Sequence, residues 1–136
     1  MTVQPVTTTQ NLTADRSWLA SLHGTNSVDT ITLDMSTFTS GTHYVPSTDT
    51  NIPYSRFLSG IPVGKITASG LYGLYSTGAA DGRQTLAGFV FAEVLFAPAQ
   101  TKVPAALLWH GSVKTAKLPI AVPPVAPSSI CQIRFV

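Results

Sequence analysis

Residues 59–94 read SGIPVGKITASGLYGLYSTGAADGRQTLAGFVFAEV, and this stretch decides the fold. Two runs of strand character, Val63–Ala68 and Leu86–Phe96, flank a segment interrupted by glycine every few residues, at positions 60, 64, 70, 73, 78, 82 and 88. Glycine at that density breaks helices and suits turns that need positive φ. Asp81-Gly82 is a turn dipeptide, expected at a hairpin tip. The run LAGFVFAEVLF, Leu86–Phe96, is almost wholly apolar, with Glu93 as its single charge. It is too short to span a membrane and too rich in aromatic and β-branched residues for a helix, so it predicts a central strand. Phe89, Phe91, Val94 and Phe96 cannot all face one side of a period-2 strand. The run is therefore expected to be covered on both faces or bulged.

The flanking sequence extends the β pattern. In DTITLDMSTF, Asp29–Phe38, the apolar Ile31, Leu33 and Met35 alternate with Thr30, Thr32 and Asp34, the mark of a half-buried strand. Residues 39–52 are polar and carry Gly41, Pro46 and Asn51, which predicts a loop; Phe57, Leu58 and Ile61 then lead into the glycine-punctuated segment. Pro98 and Pro104 are expected to bracket another loop, and Ala105–Val113 to form a strand rather than a short helix. Prolines 119, 123, 124 and 127 forbid helix and suit an extended crossing. The chain closes with Ile130, Gln132, Arg134 and Val136 alternating with Cys131, Ile133 and Phe135, a terminal strand. Only TADRSWLASLH, Thr13–His23, suggests a short helix, with Thr13 as N-cap, Gly24 after its end, and Trp18, Leu19 and Leu22 on one face. Trp18 fits two roles, a core plug or an interface anchor. The expected fold class is all-β with at most one or two short helices.

Composition narrows the function. At 136 residues the chain is one domain, able to bury about two thirds of its unfolded surface. Only 10% of its residues are charged, against about 25% in an ordinary soluble domain. Its mean hydropathy is +0.25. A neutral surface of this kind suits an assembly subunit. The eight basic residues are spread singly, so there is no electrostatic footprint for nucleic acid. No apolar run reaches membrane-spanning length, and MTVQPVTTTQ has neither the basic nor the apolar part of a secretory signal. Asn11-Leu12-Thr13 matches a glycosylation acceptor that is void without secretion.

Catalytic patterns are missing from the sequence. His23, His43 and His110 are scattered without metal-ligand spacing and suit surface or turn-capping roles. Asp15, Asp29, Asp34, Asp49, Asp81 and Glu93 form no close pair for acid/base work. Ser69 lacks the first glycine of a nucleophile elbow, and no Gly-Lys-Ser/Thr ending marks a phosphate loop. Gly70-Leu-Tyr-Gly73 has apolar rather than basic middle residues, unlike a nucleic-acid GxxG loop. Cys131, the single cysteine, lies in an apolar strand pattern and suggests a buried, inert thiol. Trp109, Tyr72 and Tyr75 are candidate stacking platforms for a glycan.

Residues 1–13, MTVQPVTTTQNLT, carry no charge and almost no large apolar side chain. They cannot pack a core of their own, yet Val3, Val6 and the threonines favour extended backbone. They fit two readings, a disordered tail or an arm that becomes a strand on a partner's sheet edge.

The order Gly, Lys-Ile, Ser-Gly, Leu-Tyr, Gly-Ala-x-Asp-Gly, Gly-Phe-x-Phe within 59–94 resembles the central region of the head decoration proteins of tailed bacteriophages, the lambda-like capsid-stabilising family. Arg16–Gly24 (RSWLASLHG), Thr32-Leu-Asp34 with Phe38, Leu107–Gly111 (LLWHG) and Lys117-Leu-Pro119 look like stations in the decoration proteins of phages that infect actinobacteria. The ending in Phe135-Val136 is similar to the last strand of the lambda-type protein. The longer 39–57 loop and the proline-rich 118–127 crossing depart from that pattern. The resemblance implies a β-clip-like bent ribbon with an incomplete barrel. It also implies a homotrimer on the outer surface of the mature capsid, at three-fold and quasi-three-fold junctions of the major capsid protein. Such a protein, made in the host cytoplasm, works mechanically, with no catalysis, cofactor, nucleic acid or membrane. On that reading residues 1–13 are the capsid-binding arm and 14–136 the decoration domain. Thr2, Val3, Gln4, Pro5, Val6, Thr7, Thr8, Thr9 and Trp18 would contact the capsid, and Leu71, Tyr72, Leu74 and Tyr75 would form the trimer interface. The alternative is a small tail or fibre β-domain that binds a host receptor or glycan.

Overall fold

The computed structural model describes residues 15–47 and 54–136; the expected arm, residues 1–13, lies outside them. Among the described residues the protein is all-β: β1 (Asp29–Asp34), β2 (Tyr44–Val45), β3 (Ser55–Phe57), β4 (Pro62–Lys65), β5 (Tyr72–Leu74), β6 (Gly88–Val90), β7 (Val94–Phe96), β8 (Lys102–Leu108), β9 (His110–Val113) and β10 (Gln132–Phe135), with 3₁₀ turns at Met35–Thr37 and Thr115–Lys117.

Five strands close a barrel in the order β1-β5-β4-β6-β8, with β8 returning to pair with β1. The ring is complete rather than open. Its strongest seam is β1 with β8, in register from Asp29 opposite Leu107 to Asp34 opposite Lys102. Its thinnest is the parallel contact of β1 with β5, a single pair of Leu33 and Tyr72. A second, antiparallel sheet runs β2-β3-β7, and β9 and β10 form a parallel pair.

The apolar run of residues 86–96 is divided between two sheets. β6 stays in the barrel, the chain breaks step at Phe91–Glu93, and β7 joins the three-stranded sheet. Every residue of β6 is buried. Val90 belongs to a core with Ile31, Leu33, Phe57, Val63, Phe96, Val103, Ala105 and Leu107. Its neighbour Phe89 points into a second core with Trp18, Leu86, Leu108, Val113, Val122, Cys131 and Ile133. β8 alternates in the same way, Leu107 into the first core and Leu108 into the second. The barrel wall at β6 and at the Leu107–Leu108 end of β8 is thus covered on both faces, which is why the sequence there lacks polar alternation.

The helix expected over Thr13–His23 does not form across 15–23. The chain there is extended and turned, and Leu19 bridges to Val113. Ala20 N–H donates to Ser112 O (3.0 Å) and Lys114 N–H to Trp18 O (2.7 Å). A ten-residue helix is marginal in water, so these sheet bonds and the burial of Trp18 win. Pro104 lies inside β8, not at a loop end, where β8 is paired by β1 alone, a setting in which a strand tolerates proline. Within the polar 39–52 segment, Tyr44–Val45 forms the short β2; residues 48–53 are outside the described set.

Gly60, Gly70, Gly82 and Gly88 take positive φ as expected, but Gly78, which lies in open space, does not, and neither do Gly64 and Gly73. These two are close-approach glycines: a Cβ on Gly64 would stand 2.7 Å from Arg83 Cα, and one on Gly73 would stand 2.7 Å from Arg83 Cδ. The Arg83 segment lies across the bare backbone of β4 and β5, so the β5–β6 connection folds back on the barrel.

Candidate functional site

The fold positions three places able to meet a partner. The first is the outer edge of β10. Among the described residues β10 pairs with β9 on one side and with no strand on the other. That edge borders a groove of about 540 Å³ lined by Pro124, Val125, Pro127 and residues 132–135 of β10. The alternation of the tail sequence sets its character: Cys131 and Ile133 point into the second core, while Gln132 and Arg134 face outward. The prolines cannot supply ladder donors, so the crossing lies beside β10 without capping it as a strand.

The second place is the mouth of the barrel. Asp29, Lys65, Tyr72 and Leu107 share the strand phase of the inward residues Ile31, Val63, Leu74 and Ala105, one step further out. With Ala87, Trp109, Ser129 and Ile130 they line a cleft of about 350 Å³. Trp109 is fixed there by its Nε1–H donating to Ser27 O at 2.7 Å. Burial and the nearby Asp29 carboxylate push the Tyr72 hydroxyl above its ordinary pKa, so it stays a neutral donor. Neither Asp29 nor Lys65 is ion-paired among the described residues. Of the three expected stacking aromatics, Tyr72 and Trp109 converge on this cleft, while Tyr75 packs against the second core.

The third place is the root of the N-terminal segment. Arg16 Nη1 donates to both Glu93 oxygens (3.0 and 2.8 Å), Asp15 N–H adds a third bond (3.1 Å), and the guanidinium lies 5.1 Å above the Phe91 ring. Burial pushes the Glu93 carboxyl up, but hydrogen bonds from Arg16, Asp15 and its own backbone, with the Arg16 charge, outweigh that and hold it below its ordinary value. The lone charge in the 86–96 run therefore anchors residues 15–16 to the barrel.

The residues expected to contact partners divide as follows. Thr2 to Thr9 lie outside the described residues. Trp18 is a core plug, not an interface anchor: it is 1% exposed, its indole N–H donates to Ser59 Oγ at 3.0 Å, and it tilts against Phe89. Leu71, Tyr72, Leu74 and Tyr75 are all half-buried on and around β5, and Tyr72 and Leu74 pack on the first core. The sequence reading did not single out the β10 edge. Its signal was the proline-rich segment followed by a strictly alternating strand.

Among the described residues no group of three or more His, Cys, Asp or Glu gathers in metal-ligand geometry. His43 is buried, its Nδ1 accepting from Thr39 N–H at 2.8 Å, which makes it a turn cap. Burial pushes the Cys131 thiol up, away from reactivity, although a backbone bond from Ile133 opposes it. No protein-family model, curated protein or solved structure matches this chain.

Proposed function

We propose that this chain is a capsid decoration protein, a structural subunit that seats on the outer surface of a phage head as a homotrimer and braces the major capsid protein against internal pressure. The observation that carries the reading is the edge of β10, unpaired among the described residues, beside an apolar groove on a surface with few charges. Such an edge accepts an extended segment from a neighbouring subunit, with main-chain bonds for affinity and the groove for side chains. The resemblance of residues 16–24, 59–94 and 107–111 to decoration-protein stations points the same way. Contacts of a few kcal/mol per protomer suffice, because many equivalent sites act together on one shell. C₃ symmetry lets one sequence present three identical surfaces to three neighbours. Leu71, Tyr72, Leu74 and Tyr75 supply the three-fold contact in this reading, and residues 2–9 the capsid contact.

The test is to add the purified protein to expanded capsids that lack it, then image the particles by cryo-electron microscopy. Trimeric density at three-fold positions is the expected result. Failure to co-sediment with capsids, or monomers placed elsewhere, overturns the proposal.

The barrel mouth favours a second reading, a receptor- or glycan-binding module. Tyr72 and Trp109 offer ring faces, and Asp29 and Lys65 offer unpaired polar groups, in one cleft. Binding to host cells rather than capsids, lost in Trp109→Ala, would support it.

A further inference from the structure

His23 and His110 come from a turn and a strand far apart in sequence, yet their Nε2 atoms lie 3.3 Å from each other. The rings meet edge-on, with centroids 4.7 Å apart and planes at 78°. The placement is set by the backbone. Gly24 has φ +84°, and a Cβ there would stand 2.0 Å from His110 O; one on Gly111, at φ +150°, would stand 2.7 Å from His23 O. Only two glycines let the backbones bearing the histidines approach this closely. The His110 ring is held further by stacking on Trp109, centroids 5.5 Å apart and planes at 26°. Trp109 in turn holds the turn through its bond to Ser27 O. Two imidazoles on a surface are usually floppy; these two are positioned.

As a hydrogen bond the contact requires one Nε2 to carry a proton and the other to accept it. A separation of 3.3 Å is long for such a bond. It matches the spacing of two ligands on one tetrahedral ion: with metal–nitrogen bonds of about 2.0–2.1 Å, ligand nitrogens stand about 3.3–3.4 Å apart. We propose that His23 and His110 form a two-imidazole site for a divalent transition-metal ion of the zinc class. The ion takes the Nε2 lone pair of each neutral ring, with water in the remaining positions. It replaces a long hydrogen bond by two coordinate bonds and clips the turn at 22–27 to β9. Imidazole ligands favour zinc, nickel and copper over magnesium and calcium, which require oxygen. His43 cannot compete, since it is buried with Nδ1 occupied, and Cys131 is buried. This site is independent of the capsid reading.

The experiment uses the full chain, stripped of metal with a chelator. Zinc chloride, nickel chloride and magnesium chloride are titrated separately while thermal unfolding and binding heat are followed. Zinc and nickel should raise the Tm with saturation, as ligands of the folded state do, and magnesium should not. His23→Asn and His110→Asn should each weaken zinc binding by more than about tenfold, since each removes one of the two protein ligands. Imidazole ¹⁵N resonances of the unaltered protein provide a readout that needs no variant: zinc should move the Nε2 signals of His23 and His110 and leave His43 unmoved. Unmoved signals at both residues, or equal zinc binding by the double variant, would reduce the pair to a hydrogen bond and overturn the proposal.

Discussion

At Trp18 a single hydroxyl decides how a large residue is used. The indole fills the second core, and Ser59 Oγ both accepts its N–H and donates to Phe91 O at 2.8 Å, so no polar group there is stranded. Trp18→Ala should cost about 3–5 kcal/mol by cavity formation. Ser59→Ala should cost about 1–3 kcal/mol by leaving a buried donor unpaired. Urea unfolding of the two variants measures both. The sequence left Trp18 balanced between plug and anchor because the deciding partner stands 41 residues away. His43 makes a pH prediction. Burial depresses its pKa below 6.5, so the folded state binds its proton less readily than the unfolded chain. The stability this contributes is present above pH 6.5 and is lost as pH falls through the folded value. Unfolding midpoints should drop between pH 7 and pH 5, and His43→Asn should flatten that part of the profile. Glu93 acts lower on the scale. Its depressed pKa contributes stability above about pH 4.5 that fades as pH falls, by about 1 kcal/mol or less because the Arg16 pair is partly exposed.

Among the elements, the apolar run 86–96 shows where sequence reasoning reaches and where it stops. The two-sided covering of β6 was legible from four large apolar residues that no single strand face can hold. The break at Phe91–Glu93 was not legible, because it depends on β7 finding β3 as its partner. The two phenylalanines therefore separate. Phe89 is 0% exposed and packs on Trp18 and Phe135, so Phe89→Ala should cost about 3–5 kcal/mol. Phe91 is half-buried beneath the Arg16 guanidinium and should cost roughly half as much. Equal losses in thermal unfolding would mean that the strand does not break there. The alternation of β1 and of the terminal strand was also readable, since one face of each meets a core. The absent helix at 15–23 was not, because Leu19 bridges to Val113 and Ala20 bonds to Ser112, both in β9 about ninety residues on. The barrel mouth was half legible: its aromatics stood out, but not that β1, β4, β5 and β8 end together around them.

For the whole molecule, the capsid reading turns on what residues 2–12 do. They hold no charge and only Val3, Val6 and Leu12 as large apolar side chains, so they can bury little on their own. The described chain starts at Asp15, whose N–H is bonded to Glu93, and Arg16 is held on the same carboxylate. Residues 15 and 16 are therefore fixed on Glu93. Ordering about ten residues costs on the order of 10 kcal/mol of backbone entropy, which strand pairing and valine burial on a partner must offset. The domain should not need the segment, because it holds only three large apolar side chains. Deleting residues 2–12 should leave the Tm within a few degrees and the sedimentation of the free protein unchanged in kind, yet sharply lower capsid occupancy. Gel densitometry of purified particles, full length against truncated, measures the occupancy. Equal occupancy would move attachment to the folded domain, and the β10 edge would then be the surface to mutate. A collapse of Tm on deletion would show instead that residues 2–12 belong to the domain's own sheet.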